Sequence, residues 1–600
     1  MNAFFRKRAR PRLVGQGGDR LPGGPVSPGD RRQLPGPEER ARPVAVGHAR
    51  LRFMCLVLAT LFAVVSWRLV DIMILAPETA RGTANAAMAR QMAEEPVRKR
   101  SDIVDRNGLV LATDLPTVNL FADTRGIPRP EIERAIAALP ALFPELDPEK
   151  LRRDLYSQRA FVYIRHHLTP FEQKRVNDLG IPGLEFETAE KRVYPGGRAL
   201  SHVVGTTNLD NRGSSGLENY FDRWLTTSDE PLVLSIDLRV QHITHRVLSE
   251  SVKHFRAQGG SALVLDVATG EVMAMVSLPD FEPERNGSPA DKERFNRATL
   301  GVYEMGSVFK VVNTAMALES GIPLGSYFDA SAPLRIGGHS ISDYKGKNRP
   351  LSIPEIMMYS SNIGSARMAS RVGTTYQREF LRNLGLLEPV RIELPERGTP
   401  LVPNPWREIS TLTVAFGHGL SITPLHLASA VSAVINGGVF IPPTLLKVQD
   451  RQAVQGTRVI SERNSVIMRA LMRLVVEAGS GKSAAVNGYY VGGKTGTADK
   501  QVGRGYARNS VLASFVAGFP MTAPRYVVLF TLDDPQPVQG TWGYRTAGWN
   551  AAPSTGRLIA EIAPLLGVAP SYFSPSGFFD ESLIQEVGLK TLEPEGGPAR

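Results

Sequence analysis

Six hundred residues, 42% apolar and 22% charged, exceed what one ordinary core organises and call for two or more folded units. A single cysteine, Cys55, excludes an intrachain disulfide framework and any cysteine-based metal site, and the ten histidines supply no ligand set. The net charge of +11 is gathered at the start, where residues 1–52 hold twelve Lys/Arg against four acids; with few aromatics and no nucleic-acid fold signature, that tail reads as a membrane flank rather than a nucleic-acid binder.

Residues 11–43 contain seven prolines and seven glycines and few large apolar side chains, so 1–50 is expected as a disordered, basic, cytoplasmic tail. An uncharged run follows at 53–67, and the apolar pattern resumes after Arg68 with Leu69, Val70, Ile72, Met73, Ile74 and Leu75. A helix over 53–75 would be about 34 Å long at ~1.5 Å per residue, enough for one bilayer span. Residues 51–75 are therefore expected to be an uncleaved signal anchor, with the basic flank inside and the rest exported. The competing cleavage site, Ala84-Asn85-Ala86, lies too far beyond the apolar run to be used.

Residues 76–228 are expected to form a non-catalytic pedestal. Ile103-Val104 and Leu109-Val110-Leu111 flank the hairpin turn Asp105-Arg106-Asn107-Gly108; 132–139 and 170–179 look helical, and Tyr194-Pro195-Gly196-Gly197 reads as a turn. A second unit, 229–567, opens with a strand at 233–236 and a helix whose apolar positions are Val240, Ile243, Val247 and Val252. A hairpin pairs 262–265 with 272–276, helices dominate to Gly437, and late strands are expected at 488–493, 510–519 and 526–532 before a closing helix at 554–566. Strands first and last with helices between imply a mixed α/β domain whose one sheet is completed by both ends of the segment. Residues 568–600 read as a loose tail.

Three short strings carry the chemistry: Ser307-Val308-Phe309-Lys310, Ser360-Ser361-Asn362 and Lys494-Thr495-Gly496. The buried helical pattern Val311, Val312, Ala315, Met316 and Leu318 follows the first, which puts Ser307 and Lys310 on one helix face. A hydroxyl becomes a nucleophile when a neighbouring base takes its proton, and a lysine can do so once burial and nearby positive charge lower its pKa. Lys494 would supply that charge, Ser360 a proton path, and Asn362 a donor and acceptor for a peptide backbone. Gly493 and Gly496 leave a bare strand edge for an extended peptide. Each residue alone has a plain structural role open to it, as N-cap, turn or solvated lysine; their order and context together point to acyl transfer. Two lookalikes are set aside as loops. Ser342 and Lys345 have no helix behind them, and the string from Gly479 to Ser483 lacks the first glycine of a phosphate loop, Val476 standing there.

With these motifs the chain resembles the monofunctional (class B) penicillin-binding proteins, over roughly residues 50–567. The likeness extends to Asp105-Arg106-Asn107-Gly108, Arg192-Val193-Tyr194-Pro195, Gly216-Leu217-Glu218, Asn296-Arg297-Ala298, residues 411–424 and Ala551-Ala552-Pro553. It implies a penicillin-binding, serine β-lactamase-like domain with an antiparallel central sheet and helices on both faces, on an elongated pedestal of the dimerisation type. It implies a membrane-anchored peptidoglycan D,D-transpeptidase that uses no cofactor and no metal. Ser307 would attack the penultimate D-Ala carbonyl of a stem peptide, with Lys310 as base and Ser360 as shuttle. Lys494, Thr495 and Thr497 would hold the substrate's terminal carboxylate, Gly496 would also be substrate-binding, and backbone N–H groups of Ser307 and Thr497 would form the oxyanion hole. β-Lactams would acylate Ser307.

Residues 515–520 and 547–553 look most like the septal, division-specific branch, whose implied partners are a SEDS-type membrane glycosyltransferase and other divisome membrane proteins. A side-wall elongation enzyme and a D,D-carboxypeptidase are the alternatives. Two residues depart from the family pattern: Ser101 replaces the glycine of the pedestal's Arg-Gly pair, and Met305 replaces the proline before Gly306-Ser307.

Overall fold

The computed structural model describes residues 42–70, 99–157, 159, 161–284, 290–502, 505–572 and 579–589, within two units that divide after Pro96. In the first unit the described part is the helix Arg42–Val70, which carries the uncharged run and also takes in residues 42–50, expected as the end of the disordered tail. Its described apolar side chains are open: Phe53 is 70% exposed, Phe62 75% and Trp67 68%. Among the described residues no helix is long and apolar enough to cross a membrane by itself. Residues 71–75, the end of the expected anchor, lie outside the described residues, as do 1–41 of the basic tail and 76–98 with the Ala84-Asn85-Ala86 string.

The second unit begins with a small sheet built around one long strand, Val110–Ala122. Asp105 makes the turn into it by accepting from Asn107 N at 2.7 Å and Leu109 N at 2.9 Å, while Gly108 takes φ +86°. The strand pairs antiparallel with Ile103–Val104, with Leu184–Val193 along most of its length, and with Val162–Leu168 at its far end. Leu232–Val233 closes the sheet parallel to Ile103–Val104. Helices Arg129–Leu142, Pro148–Leu155 and Pro170–Asn177 bury Ile132, Leu139, Leu151 and Val176 against Leu120 and Leu168.

The pedestal strings 192–195 and 216–218 meet in a buried ionic network. Glu218 accepts from Arg100 Nε at 2.6 Å and from Arg192 Nε at 2.7 Å, and all three side chains are 1% exposed or less. Asp114 takes Arg192 at 3.1 Å and the backbone N of Arg100 at 2.8 Å, and Asp222 takes Arg100 at 2.7 Å. Arg100, Arg192 and Glu218 each sit between two opposite charges, the condition under which buried ions are tolerated. Beside it the Ser101 hydroxyl donates to Ser228 O, so the serine is accommodated where the family has glycine.

The larger sheet has the order Gly492–Val502, Gly505–Phe519, Tyr526–Asp533, Gly259–Asp266, Val272–Leu278, antiparallel throughout. Helices Leu238–His254 and Ala551–Ile562 cover one face with Val247, Leu248, Leu558 and Ile559. On the other face Lys310–Glu319, Pro424–Ile435 and Glu462–Glu477 build the main core. This is the expected mixed α/β domain with a central antiparallel sheet.

Two expectations change. The first late strand is Gly492–Val502 rather than 488–493: its glycines, lysines and threonines carry no apolar alternation because one edge has no strand partner. Residues 568–600 are not a loose tail where described. Glu581–Val587 is a helix on Glu462–Glu477, and Phe579, Ile584, Val587 and Leu589 are buried in the main core. Ile584 and Val587, reading singly in a polar tail, share one helix face, and Phe579 and Leu589 flank it in the same core.

Candidate active site

Ser307 stands in a 3-10 turn, Gly306–Phe309, that runs straight into the helix Lys310–Glu319. The tighter winding still places position 310 one turn after 307. Gly306 has φ +56°, and its N–H donates to Gly417 O at 3.2 Å. A Cβ on Gly417 would lie 2.1 Å from Gly306 O, so the string 411–424 matters because glycine lets its backbone press against the residue before Ser307. Met305 is buried here, 1% exposed.

Lys310 Nζ is fully buried and meets four oxygens: Ser307 Oγ at 2.8 Å, Ser360 O at 2.7 Å, Asn362 Oδ1 at 2.7 Å and Ser360 Oγ at 3.2 Å. The two carbonyl oxygens are obligate acceptors and hold two N–H bonds, and in the neutral amine that leaves one lone pair for a hydroxyl proton. Burial pushes the Lys310 pKa well below the usual lysine value; nearby Lys494 pushes it further, and Asp343 partly opposes both. Lys494, also fully buried, donates to Ser360 Oγ at 2.9 Å and Thr495 O at 3.1 Å, and burial brings its pKa down to about 7. The Ser360 hydroxyl thus bridges the two lysine nitrogens.

Ser360 holds this place by ending the helix Ile353–Tyr359 in the left-handed conformation, φ +60°. A serine there is uncommon backbone, and it turns both its carbonyl and its hydroxyl onto Lys310. Ser361 caps the next helix, Asn362–Val372, by accepting from Gly364 N.

The sequence reading missed Asp343. Its carboxylate accepts from Ser361 Oγ at 2.7 Å, Asn362 N at 2.6 Å and Ile363 N at 3.0 Å, while neighbouring Ser342 O takes Asn362 Nδ2 at 3.0 Å. The Ser342–Lys345 lookalike is a loop, as expected, and that loop fixes the side-chain orientation of Asn362. An acidic residue with no partner in its own string gave no signal; only the fold brings it to a helix N-terminus.

Thr495, Gly496 and Thr497 follow Lys494 along the edge strand, in register with Phe515, Ser514 and Ala513. A Cβ on Gly496 would lie 2.8 Å from Met305 O and 2.9 Å from Val308 N, so glycine is what brings this strand against the Ser307 turn. The Thr495 hydroxyl shares a 2.6 Å hydrogen bond with Ser480, and Thr497 Oγ1 accepts from Ala547 N at 3.2 Å. The string set aside as a phosphate-loop lookalike therefore supplies Ser480 to the cleft wall. Tyr544 stacks on Trp549 at 5.7 Å, and Lys345 lies 5.3 Å over the Tyr544 ring, so the loop of Ser342 and Lys345 meets the segment 544–549. The structure thus brings Ser307, Lys310, Ser360, Asn362 and Lys494 into one connected set, with residues 495–497 beside it. Among the described residues no cluster of metal-ligating side chains occurs.

Comparison with known proteins points the same way. Residues 260–555 match the penicillin binding protein transpeptidase domain, and residues 97–237 match the penicillin-binding protein dimerisation domain. The chain is 39% identical to the probable peptidoglycan D,D-transpeptidase FtsI of Caulobacter vibrioides, over 78% of this chain and 82% of that protein. It is 29% identical to peptidoglycan D,D-transpeptidase FtsI of Escherichia coli K12, over 78% and 84%. Among solved structures, penicillin binding protein 3 of Mycobacterium tuberculosis complexed with aztreonam superposes with a TM-score of 0.62 at 24% identity, covering 79% of this chain and 97% of that one.

Proposed function

This chain belongs to the penicillin-binding protein transpeptidase family, and from that membership we propose that it is a septal peptidoglycan D,D-transpeptidase working through a Ser307 acyl-enzyme. The single observation that carries the reading is the fully buried Lys310 amine, 2.8 Å from Ser307 Oγ, with its other N–H bonds committed to two carbonyl oxygens.

In the first half-reaction neutral Lys310 takes the Ser307 proton as Oγ attacks the penultimate D-Ala carbonyl of a stem peptide. The tetrahedral oxyanion forms over the turn Gly306–Phe309, where backbone N–H groups of Ser307 and Thr497 are the assigned donors. The proton then passes from Lys310 through Ser360 Oγ to the departing D-Ala nitrogen, as the C–N bond breaks and the ester remains on Ser307. In the second half an amine of another stem loses its proton along the same path and attacks the ester, which restores Ser307. Lys494, protonated, pairs with the terminal carboxylate, and the hydroxyls of Thr495 and Thr497 line the same strand. Asn362 holds Lys310 through Oδ1 and faces the peptide backbone. β-Lactams offer a strained amide to the same hydroxyl and stop at the acyl stage.

The septal assignment is supported by the likeness to FtsI proteins of two bacteria. The assigned organisation is a basic cytoplasmic tail (1–50), a signal anchor (51–75), a pedestal (76–228) and a transpeptidase domain (229–567) ending in a packed C-terminal segment. The anchor is supported by the basic flank and by the open apolar side chains of Arg42–Val70; it places the enzyme at the inner membrane with the cleft outside. A SEDS-type glycosyltransferase and other divisome membrane proteins are the assigned partners. Fluorescent penicillin labels the wild type covalently and leaves Ser307→Ala unlabelled; label retained by the variant at the same rate would overturn the mechanism. Filamentous cells on depletion would support the septal role, and rounded cells the elongation role.

A further inference from the structure

A second cavity, of about 440 Å³, opens where the pedestal meets the transpeptidase domain. One wall is pedestal chain with a run of hydroxyls, Ser201, Thr206, Thr207 and Ser215 among them; the other comes from the loop that holds Phe281 and from Asn296 and Glu396. The chemistry of this lining is distinctive. Ser201 is 1% exposed, yet its Oγ has no hydrogen-bond partner among the described residues. Glu396 Oε1 accepts from Gly216 N at 3.2 Å, whereas Oε2 is likewise buried without a partner. Buried polar atoms are nearly always paired, so orphans that share a cavity ask for a ligand or ordered solvent. Burial raises the Glu396 pKa, which favours the neutral acid as a donor.

Anionic ligands fit poorly, because Glu282 also lines the cavity, burial lowers the His202 pKa to about 4, and Arg294 is engaged by Asp291 at 2.5 Å. Hydroxyls, an amide and two carboxyl groups around a small apolar patch suit a ligand rich in hydroxyl and amide groups. The floor also reaches the catalytic segment. Glu396 O accepts from Thr299 Oγ1 at 2.7 Å, and Gly398 N donates to Thr299 O at 2.8 Å, on the chain that leads into Tyr303–Glu304 and Ser307.

We propose that this cavity is a saccharide-binding site that takes N-acetylated sugar of the glycan strand, so that the polymer is held at the pedestal while its peptide is processed in the Ser307 cleft. The inference rests on the peptidoglycan reading above, which penicillin labelling tests separately. The probe is chitotriose, titrated against the full chain in detergent and followed by ligand-observed saturation-transfer NMR and calorimetry. One-to-one binding with a millimolar Kd is expected. Thr206→Trp, which fills the cavity, should abolish the transfer signal, and Ser201→Ala should weaken binding several-fold, while both variants take up fluorescent penicillin at the wild-type rate. Absence of binding by a chain that still labels with penicillin, or wild-type affinity in Ser201→Ala and in a labelling-competent Thr206→Trp, would overturn the proposal without touching the transpeptidase reading.

Discussion

Replacing Asp343 tests whether a residue outside the three motifs governs the catalytic lysine. Its carboxylate accepts three hydrogen bonds, two from the backbone that leads into Asn362 and one from Ser361. Bonds to a charged acceptor contribute about 1.5–3 kcal/mol each and neutral ones about 0.5–1.5 kcal/mol. Asp343→Asn keeps two bonds in weakened form, at a cost of about 1–1.5 kcal/mol each, and loses the third, about 1.5–3 kcal/mol, a total of about 3.5–6 kcal/mol. If that cost falls on the arrangement needed for acylation, the second-order rate of penicillin acylation drops by about 400- to 25,000-fold. A second readout separates electrostatics from shape. Asp343 favours the charged form of Lys310, so its removal lowers the Lys310 pKa further. The ascending limb of the pH–acylation profile, measured by stopped-flow with a chromogenic cephalosporin, therefore moves to lower pH. A rate within threefold of wild type, or a limb that moves upward, would refute the reasoning.

In the wild type, acylation should rise with pH as Lys310 loses its proton, through a pKa well below that of free lysine. It should fall again above about 7, as Lys494 loses the charge that pairs with the substrate carboxylate, so kcat/KM is bell-shaped; a flat profile from pH 5 to 10 would exclude this pair. Glu218→Gln leaves two buried guanidinium groups facing an uncharged amide, at a cost of about 3–5 kcal/mol. The pedestal transition in calorimetry should fall by about 6–20 °C at ~2–4 °C per kcal/mol, with the acylation rate at 25 °C unchanged; a shift under 2 °C would count against the network. Deletion of residues 1–75 should release the chain from the membrane fraction, and a full-length chain that washes off in alkaline carbonate would contradict the anchor.

The core of the site was legible because its chemistry lies in contiguous strings. Ser307 and Lys310 share a helical turn, and Lys494 travels with its flanking glycines, so spacing alone anticipates contact. Ser360 and Asn362 could be named, yet not explained: the left-handed backbone at Ser360 and the orientation of Asn362 depend on Asp343 and Ser342, which reach them through the fold. Ser480 was hidden for a similar reason, inside a string whose glycines suggested a different loop. The sheet was legible at Tyr526–Asp533, where every side chain is buried, and was misread at Gly492–Val502, where an open edge removes the apolar pattern. The C-terminal helix escaped notice because four apolar residues in a polar segment acquire meaning only against a groove formed elsewhere.

The sheet also sets an order of events for the newly made chain. Gly259–Asp266 hydrogen-bonds directly to Tyr526–Asp533, and the Lys494 strand joins the sheet by pairing with Gly505–Phe519. A growing chain that has delivered Ser307 and Lys310 still lacks three of the five strands and Lys494. Such late closure makes folding slow and leaves early strands unpaired meanwhile. It also means that no half-made enzyme can attack cell wall or antibiotic: competence arrives all at once, with the last hundred or so residues.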